Sequence, residues 1–305
     1  MFRSLIRARS QSSSSLVTMS SITQRGNSRP LSEAAGSHSR DKILVLGGNG
    51  YVGSHICKEA LRQGFSVSSL SRSGRSSLHD SWVNDVTWHQ GILSQNTFHF
   101  VHHLKSKKIS MNDLIFFFFL LKQIGDLLSP DSLKPALEGI TSVISCVGGF
   151  GSNSQMVRIN GTANINAVKA AAEGGVKRFV YISAADYGVI NNLIRGYFQG
   201  KRATEAEILD KFGNRGTVLR PGFIHGTRQV GSIKLPLSLI GAPLEMVLKL
   251  FPKEVTKIPL IGPLLIPPVS VKSVAGTAVK AAVDPEFASG VVDVYQILQH
   301  KTTPS

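Results

Sequence analysis

Three glycines are evenly spaced in the segment LVLGGNGYVGSH, at Gly47, Gly50 and Gly53. The apolar run KILVL precedes them and a helix-like run, SHICKEALRQG, follows. Glycine permits a tight turn and a close approach of the backbone to a pyrophosphate, and the helix N-terminus adds unpaired amides and a positive dipole end. The spacing therefore predicts a dinucleotide-binding loop, with a purely structural turn as the alternative. Its residues are Gly47, Gly48, Asn49, Gly50, Tyr51, Val52 and Gly53.

The end of the second predicted strand, in SLSRSGR, indicates which dinucleotide fits. NAD enzymes usually place an acid here, about 20 residues after the glycines, to bond the ribose 2′-hydroxyl. This segment contains no acid, and Ser71 and Arg72 stand there instead. A guanidinium donates charge-assisted hydrogen bonds to a 2′-phosphate. The sequence thus favours NADP (NADPH) over NAD as the cofactor, with a solvated Arg72 as the alternative.

Tyr197 and Lys201 are four residues apart in RGYFQGKRATEAE, and Ser183 ends an upstream strand. On a helix, this spacing places the phenol and the ammonium on one face, where the lysine is expected to lower the tyrosine pKa. Such a tyrosine can exchange a proton with a carbonyl or alcohol oxygen during hydride transfer, while the serine orients that oxygen. Ser183, Tyr197 and Lys201 are therefore the predicted catalytic residues. Alternatively, Tyr197 and Lys201 only hold the cofactor ribose.

The segments GGNGYVG, NGTANINAVKAA, VKRFVYISAADYG, YFQGK and LRPGFIHG together resemble the atypical extended short-chain dehydrogenase/reductases. The similarity is strongest to the mitochondrial branch that includes the 39-kDa accessory subunit of complex I and the fungal accessory dehydrogenase of coenzyme Q biosynthesis. The resemblance implies a mitochondrial, NADP(H)-binding oxidoreductase-like protein connected to ubiquinone biosynthesis or the respiratory chain. Members of the branch are thought to hold NADPH without turnover, so a non-catalytic accessory or assembly subunit is the alternative.

By motif, the resemblance assigns further cofactor contacts beyond the glycine loop. These are Asp126 on the adenine side, Cys146, Val147 and Gly148 near the nicotinamide ribose, and Pro221 beside the nicotinamide amide. The resemblance also implies partners among respiratory or coenzyme Q complex subunits. One motif departs from the family, because its Asn-Val-x-Gly-Thr segment begins here with Arg158. Proton relay through that asparagine is therefore in doubt.

Apolar runs alternate with helical stretches along the folded part, in KILVLG, FSVSSL, TWHQG, SVISCVGG, KRFVYISA and GTVLRPG. This alternation predicts an α/β fold, a doubly wound parallel-sheet Rossmann fold with a small C-terminal lid or substrate lobe. We expect a disordered presequence at 1–40 and the Rossmann domain at 41–305. The lid is placed at 222–270, and a last amphipathic helix runs from Val271 to Val283.

The lid is rich in Pro, Gly and Leu, as in LPLSLIGAPLEMVLKL and IPLIGPLLIPP. Such apolarity fits a pocket for a quinone-like or other apolar substrate, or a surface for peripheral contact with the inner membrane. An ordinary lid core is the alternative.

Residues 92–125 interrupt the pattern, because joining Gly91 to Asp126 restores a continuous strand-loop-helix-strand sequence. The apolar stretch from Leu114 to Leu121 is shorter than the roughly 20 residues that span a bilayer. The Phe- and Leu-rich sequence of this stretch resembles a translated pyrimidine tract and splice acceptor. We hypothesise a retained intron, with a genuine insertion as the alternative.

The formal net charge is +15, and six arginines with one acid lie in the first forty residues. An Arg- and Ser-rich start with Phe2, Leu5 and Ile6 on one helical face is typical of a mitochondrial presequence. A plastid address or an unaddressed basic tail are the alternatives. The remaining basic residues form no basic helix or arginine run, so no nucleic-acid partner is expected, and an RNA-associated role lacks a dedicated motif. The two cysteines and the histidines lack ligand spacing, so no metal is expected.

Overall fold

The computed structural model describes residues 41–71, 74, 80–90, 130–230, 233–258 and 262–300. Short apolar segments form its strands, and most of the central ones are fully buried. The strands are β1 Lys42–Leu46, β2 Ser66–Ser71, β3 Val86–Gln90, β4 Ser142–Ser145, β5 Arg178–Ile182, β6 Gly216–Arg220, β7 Ile224–His225, β8 Thr227–Val230, β9 Ile233–Pro236, β10 Val269–Ser270 and β11 Gly290–Asp293.

Seven of these strands form one sheet in the order β11-β6-β5-β4-β1-β2-β3, with every neighbouring pair parallel. The chain starts at the centre with β1, runs outward to β3, and then returns to build the other half from β4. Loops leaving β1 and β4 therefore diverge, which opens a crevice at the carboxyl ends of these two strands. The predicted doubly wound Rossmann fold is confirmed.

The helices cover both faces of the sheet. They are α1 Tyr51–Arg62, α2 Pro130–Leu137, α3 Asn153–Val157, α4 Ala163–Glu173, α5 Arg195–Phe212, α6 Ser238–Leu248, α7 Val271–Val283 and α8 Val294–Gln299. One buried core joins the sheet to α1, α7 and α8, and a second joins the opposite face to α2, α4 and α5. Burial on both faces explains why the central strand β1, KILVL, is apolar at successive positions instead of alternating.

The region after β6 contains the parallel pair β7 and β10, the antiparallel hairpin of β8 and β9, and α6. The helix predicted from Val271 to Val283 has those bounds. Strand β11, which completes the sheet edge, and helix α8 after it were not predicted from the sequence. The predicted presequence and the 92–125 segment lie outside the described residues. Within the described ranges, no helix is long and apolar enough to cross a membrane.

Candidate nucleotide-binding and catalytic site

The glycine loop folds back on the first turn of α1. Gly47 has a φ of 84°, a left-handed conformation that favours glycine. Its amide donates to the Leu70 carbonyl at 2.9 Å, and its own carbonyl accepts from the Gly50 amide at 2.9 Å. A Cβ on Gly53 would lie 2.2 Å from that Gly47 carbonyl oxygen, so only glycine fits at this position. The loop is therefore a close-packed turn at the carboxyl end of β1.

The N-terminus of α1 faces the crevice without a side-chain cap, because Gly50 occupies the N-cap position. The first amides of a helix have no intrahelical partners, and the dipole is positive there, so this end favours a phosphate. The segment after β7 packs close by, since a Cβ on Gly226 would lie 2.5 Å from the Tyr51 hydroxyl. Pro221, buried after β6, accepts a hydrogen bond from the Ala185 amide at 2.8 Å.

The side of the site that would contact the adenosine is described only in part. Ser71 is 7% exposed at the carboxyl end of β2, and its carbonyl accepts from the Gly74 amide at 3.3 Å. Arg72 and Asp126, the two other residues assigned to this side, lie outside the described residues.

On the other side of the crevice, the segment Cys146–Gly148 follows β4. The Cys146 amide donates to the Leu46 carbonyl at 2.9 Å, which ties this segment to β1. The Val147 carbonyl accepts from the Asn164 side chain at 3.3 Å. Cys57 and Cys146 are both free thiols.

A π-helical turn from Arg158 to Thr162 joins α3 to α4 and turns Asn160 into the protein. The Asn160 amide side chain donates to the Gly149 carbonyl at 2.8 Å and accepts from the Gly149 amide at 3.1 Å. Arg158, the position that matches the family asparagine by motif, is exposed instead. The sequence analysis missed Asn160, although an asparagine two residues further along the same motif was the available signal.

Lys201 links the Cys146–Gly148 segment to the predicted catalytic tyrosine. Its ammonium, 3% exposed, donates to the Ile182 carbonyl at 2.8 Å and to the Tyr181 hydroxyl at 3.3 Å. It lies 5.3 Å from the centroid of the Tyr197 ring, and a Cβ on Gly148 would be 3.5 Å from it. Burial lowers the pKa of Lys201 from 10.5 to about 7, while the neighbouring Cys146 and Glu205 oppose that shift.

Tyr197 is held by its ring. It stacks on Phe150 with the centroids 4.9 Å apart and meets Phe198 edge-on at 5.2 Å. Burial, with a smaller contribution from Tyr187, raises the pKa of Tyr197 to about 12. This shift is opposite to the lowering expected from the sequence. The reason is that the lysine ammonium lies over the ring and donates to other oxygens, so it does not compensate for burial.

Ser183 is directed away from the tyrosine and into an ionic network. Its hydroxyl, in a residue 5% exposed, donates to Glu205 and accepts from the Arg202 guanidinium at 3.3 Å. Glu205 also forms ion pairs with Arg202 and Arg220. Burial acts against its ionisation, but hydrogen bonds from Arg220 and Ser183 and both arginine charges hold the pKa of Glu205 below its usual value. Because a hydroxyl carries one proton, Ser183 has none left for a substrate oxygen.

The described part of the structure thus brings together the glycine loop, the Cys146–Gly148 segment, Tyr197 and Lys201, and it pairs Ser183 with a carboxylate that sequence reasoning missed. Glu205 and Arg202 of this network lie on α5 and Arg220 lies on β6, and no local sequence pattern indicated that these side chains would meet. Among the described residues no cluster of metal-ligating side chains is present.

Known proteins are similar to this chain in sequence. Residues 123–236 match a family model described as NAD(P)H-binding. An uncharacterized chloroplastic protein of Arabidopsis thaliana is 39% identical over 261 residues, which cover 84% of this chain and 76% of the relative. MIOREX complex component 2 of Saccharomyces cerevisiae is 27% identical over 85% of this chain and 99% of its own length. A shorter match is the mitochondrial protein fmp-52 of Neurospora crassa, 36% identical over 29% of this chain and 38% of the relative.

Solved structures share the fold at low sequence identity. The enzyme WbmG of Bordetella bronchiseptica, solved in complex with NAD, superposes with a TM-score of 0.52. It is 15% identical over 85% of this chain and 74% of its own. At this identity the likeness establishes the fold alone.

Proposed function

The chain belongs to the NAD(P)-binding family of atypical extended short-chain dehydrogenase/reductases, and from this premise we propose that it is an organellar accessory or assembly protein that holds NADP(H) without turning it over. The observation that carries the proposal is the hydrogen bond from Ser183 to Glu205. A reductase of this type needs a hydroxyl that donates to the substrate oxygen, and here the only proton of that hydroxyl is engaged inside the protein.

The tyrosine and the lysine support the same proposal. A phenol with a pKa of about 12 is a weak acid at neutral pH, and a good catalytic acid has a pKa near the operating pH. Lys201 donates to a backbone carbonyl and to Tyr181, and it lies against the segment that includes Gly148. In this position the ammonium suits binding of a ribose hydroxyl. Lys201 therefore acts as a holding group for the nucleotide, and Tyr197 contributes its stacked ring to the wall of the site.

We propose NADP(H) over NAD(H) because the carboxyl end of β2 contains Ser71 and is followed by Arg72, with no acid in the segment SLSRSGR. A ribose 2′-phosphate accepts from such groups, whereas a free 2′-hydroxyl is usually bonded by an acid.

For location and partners we propose a mitochondrion or a plastid, and a protein complex of that organelle. The Arg- and Ser-rich first forty residues support import. Relatives with names that place them in the chloroplast and in the mitochondrion support both addresses. The yeast relative is named as a component of a complex, which supports assembly partners for this chain, and we place them among respiratory or quinone-synthesis subunits.

Calorimetric titration of NADPH and NADH into the full chain tests the binding part. The unaltered chain should bind NADPH more tightly than NADH, and Arg72→Ala should remove that difference. Gly53→Ala should abolish binding because its Cβ meets the Gly47 carbonyl. Gly64→Ala is the control for a substitution that only strains the backbone, since this glycine follows the other end of α1, has a φ of 85° and has nothing within 4 Å of its Cβ. Binding by Gly53→Ala equal to that of the control would overturn the site.

Tyr197→Phe tests the absence of turnover. The variant removes only the phenolic hydroxyl and leaves the stack on Phe150. We expect it to bind NADPH normally and to restore growth or assembly in cells that lack the protein. If the variant bound NADPH normally but failed to restore growth or assembly, the proposal that the protein does not turn over the nucleotide would be refuted.

The second candidate is an oxidoreductase for an apolar carbonyl or quinone-like substrate of ubiquinone synthesis, with Tyr197 as its acid or base. The observation that favours it is a set of exposed apolar side chains on the segments that follow β4, β5 and β6: Phe150, Val189, Leu193 and Phe223. Phe150 stacks directly on Tyr197. NADPH oxidation in the presence of short-chain quinones, abolished by Tyr197→Phe, would establish this activity.

A further inference from the structure

Helix α6 has its polar and apolar sides reversed relative to an ordinary surface helix. Such helices bury an apolar stripe and expose charged side chains. In α6 the one charged side chain, Glu245, points inward, and every large apolar side chain except Leu248 points outward. We propose that α6 and the turn after it form a docking surface for an anionic lipid bilayer.

The inner side of α6 is anchored to the Rossmann domain. The Glu245 carboxyl group and the His225 Nε2 are hydrogen-bonded at 2.6 Å, and His225 is buried. Gly241 lies directly against the same histidine, since a Cβ there would come within 2.2 Å of the His225 Cβ. Leu248 is buried at the end of the helix. These contacts determine which side of α6 faces solvent.

The outer side of α6 and the following turn is apolar throughout. Its exposed side chains are Leu239 at 74%, Ile240 at 76%, Leu244 at 44%, Met246 at 61%, Val247 at 50%, Leu250 at 78% and Phe251 at 42%. Positions three and four apart on a helix are neighbours, so these side chains form one continuous patch. A patch of this kind on a folded protein marks a binding surface. We call it the α6 apolar face.

The charges beside the α6 apolar face indicate what covers it. Lys249 is exposed at the end of the helix, Lys253 follows in the next turn, and the sequence adds a third lysine at position 257. Lys253 also pairs with Asp293. Glu254 is the only acid from Ser238 to Ile258 besides the inward Glu245. The surroundings of the patch are therefore basic.

This basic rim selects an anionic lipid surface over a second copy of the chain. A symmetric dimer through the patch would bring the lysines of both copies together, and like charges across an interface oppose association. Beyond residue 40 the chain carries 28 basic and 18 acidic side chains, which adds to that repulsion. Anionic headgroups instead attract the lysines, and the apolar side chains of the α6 apolar face insert among the acyl chains. With 11 residues, α6 lies along the membrane surface and does not cross it.

Co-sedimentation of the full chain with vesicles tests the proposal. Vesicles of phosphatidylcholine with phosphatidylglycerol should retain the protein, and vesicles of phosphatidylcholine alone should retain much less. Leu239→Ser combined with Ile240→Ser should lower partitioning by roughly tenfold or more, because two largely exposed apolar side chains no longer insert. Lys249→Glu should weaken binding to the anionic vesicles only.

Leu209→Ser is the matched control, since this leucine is 40% exposed on α5, outside the patch. It should partition like the unaltered chain. NADPH titration of every variant checks that the fold is retained and separates this proposal from the nucleotide site. Equal partitioning of the double variant and the unaltered chain would overturn the proposal. So would an absence of vesicle binding, or a dimer in solution that the double variant converts to a monomer.

Discussion

Glu205→Gln should destabilise the protein by about 2–3 kcal/mol. The carboxylate is in a residue 3% exposed and receives hydrogen bonds from Ser183, Arg202 and Arg220. An amide of the same shape removes the negative charge and leaves two guanidinium groups facing each other. Removing one partner of a fully buried ion pair costs about 3–5 kcal/mol. Both arginine side chains are 29% exposed, so water compensates part of that cost.

The same substitution should change how stability depends on pH. The pKa of Glu205 is lower in the folded chain than in the unfolded chain, where it is near the ordinary value of about 4.3. A depressed carboxyl pKa contributes stability above the unfolded pKa, and this contribution is lost as the pH falls through the folded pKa. Acidification below about pH 4 should therefore destabilise the unaltered chain more steeply than Glu205→Gln.

Urea unfolding followed by the fluorescence of Trp82 and Trp88 measures both effects. The matched control is Glu59→Gln, because Glu59 also pairs with an arginine, Arg62, but at the surface of α1. A surface pair contributes about 0–1 kcal/mol, so the control should change little. A cost for Glu205→Gln no larger than that of the control would refute the buried network. The same result would count against the hydrogen bond from Ser183 to Glu205.

Three further substitutions test other parts of the structure. Lys201→Met should reduce the rise in folding stability between pH 7 and 10. The Lys201 amine keeps its proton up to a pKa of 10.5 in the unfolded chain, whereas burial lowers its pKa in the folded chain to about 7. Equal pH dependence of the two proteins in urea unfolding would contradict this. Gly200→Ala places a Cβ 2.7 Å from the Gly161 amide nitrogen and should cost about 1–3 kcal/mol, and an unchanged urea midpoint would contradict the close contact of α5 with the π-helical turn. Glu245→Ala leaves His225 without its partner and should increase protease cleavage within α6 while NADPH binding persists; unchanged cleavage would show that the pair does not anchor the helix.

The parts of the fold that could be predicted from the sequence are those governed by local patterns. Three glycines at a fixed spacing between a strand and a helix were enough to predict the glycine loop. In the structure Gly53 packs so closely on the Gly47 carbonyl that no Cβ fits there. Helix α7 was predicted with its observed bounds because its apolar periodicity extends over 13 residues. Strand β11 was missed because its four residues, GVVD, are too few to show a period.

The direction of a side chain in the site is decided at longer range, and this limits any prediction of catalysis from motifs. Ser183 stands at the family position and has the expected residue type, but the acceptor of its proton lies 22 residues away on α5. The charge state of that acceptor depends in turn on Arg220, which enters from β6. Asn160 likewise reaches the site because a π-helical turn rotates it inward. A motif specifies which groups are present near the nucleotide, whereas tertiary partners determine whether those groups still have a proton to transfer.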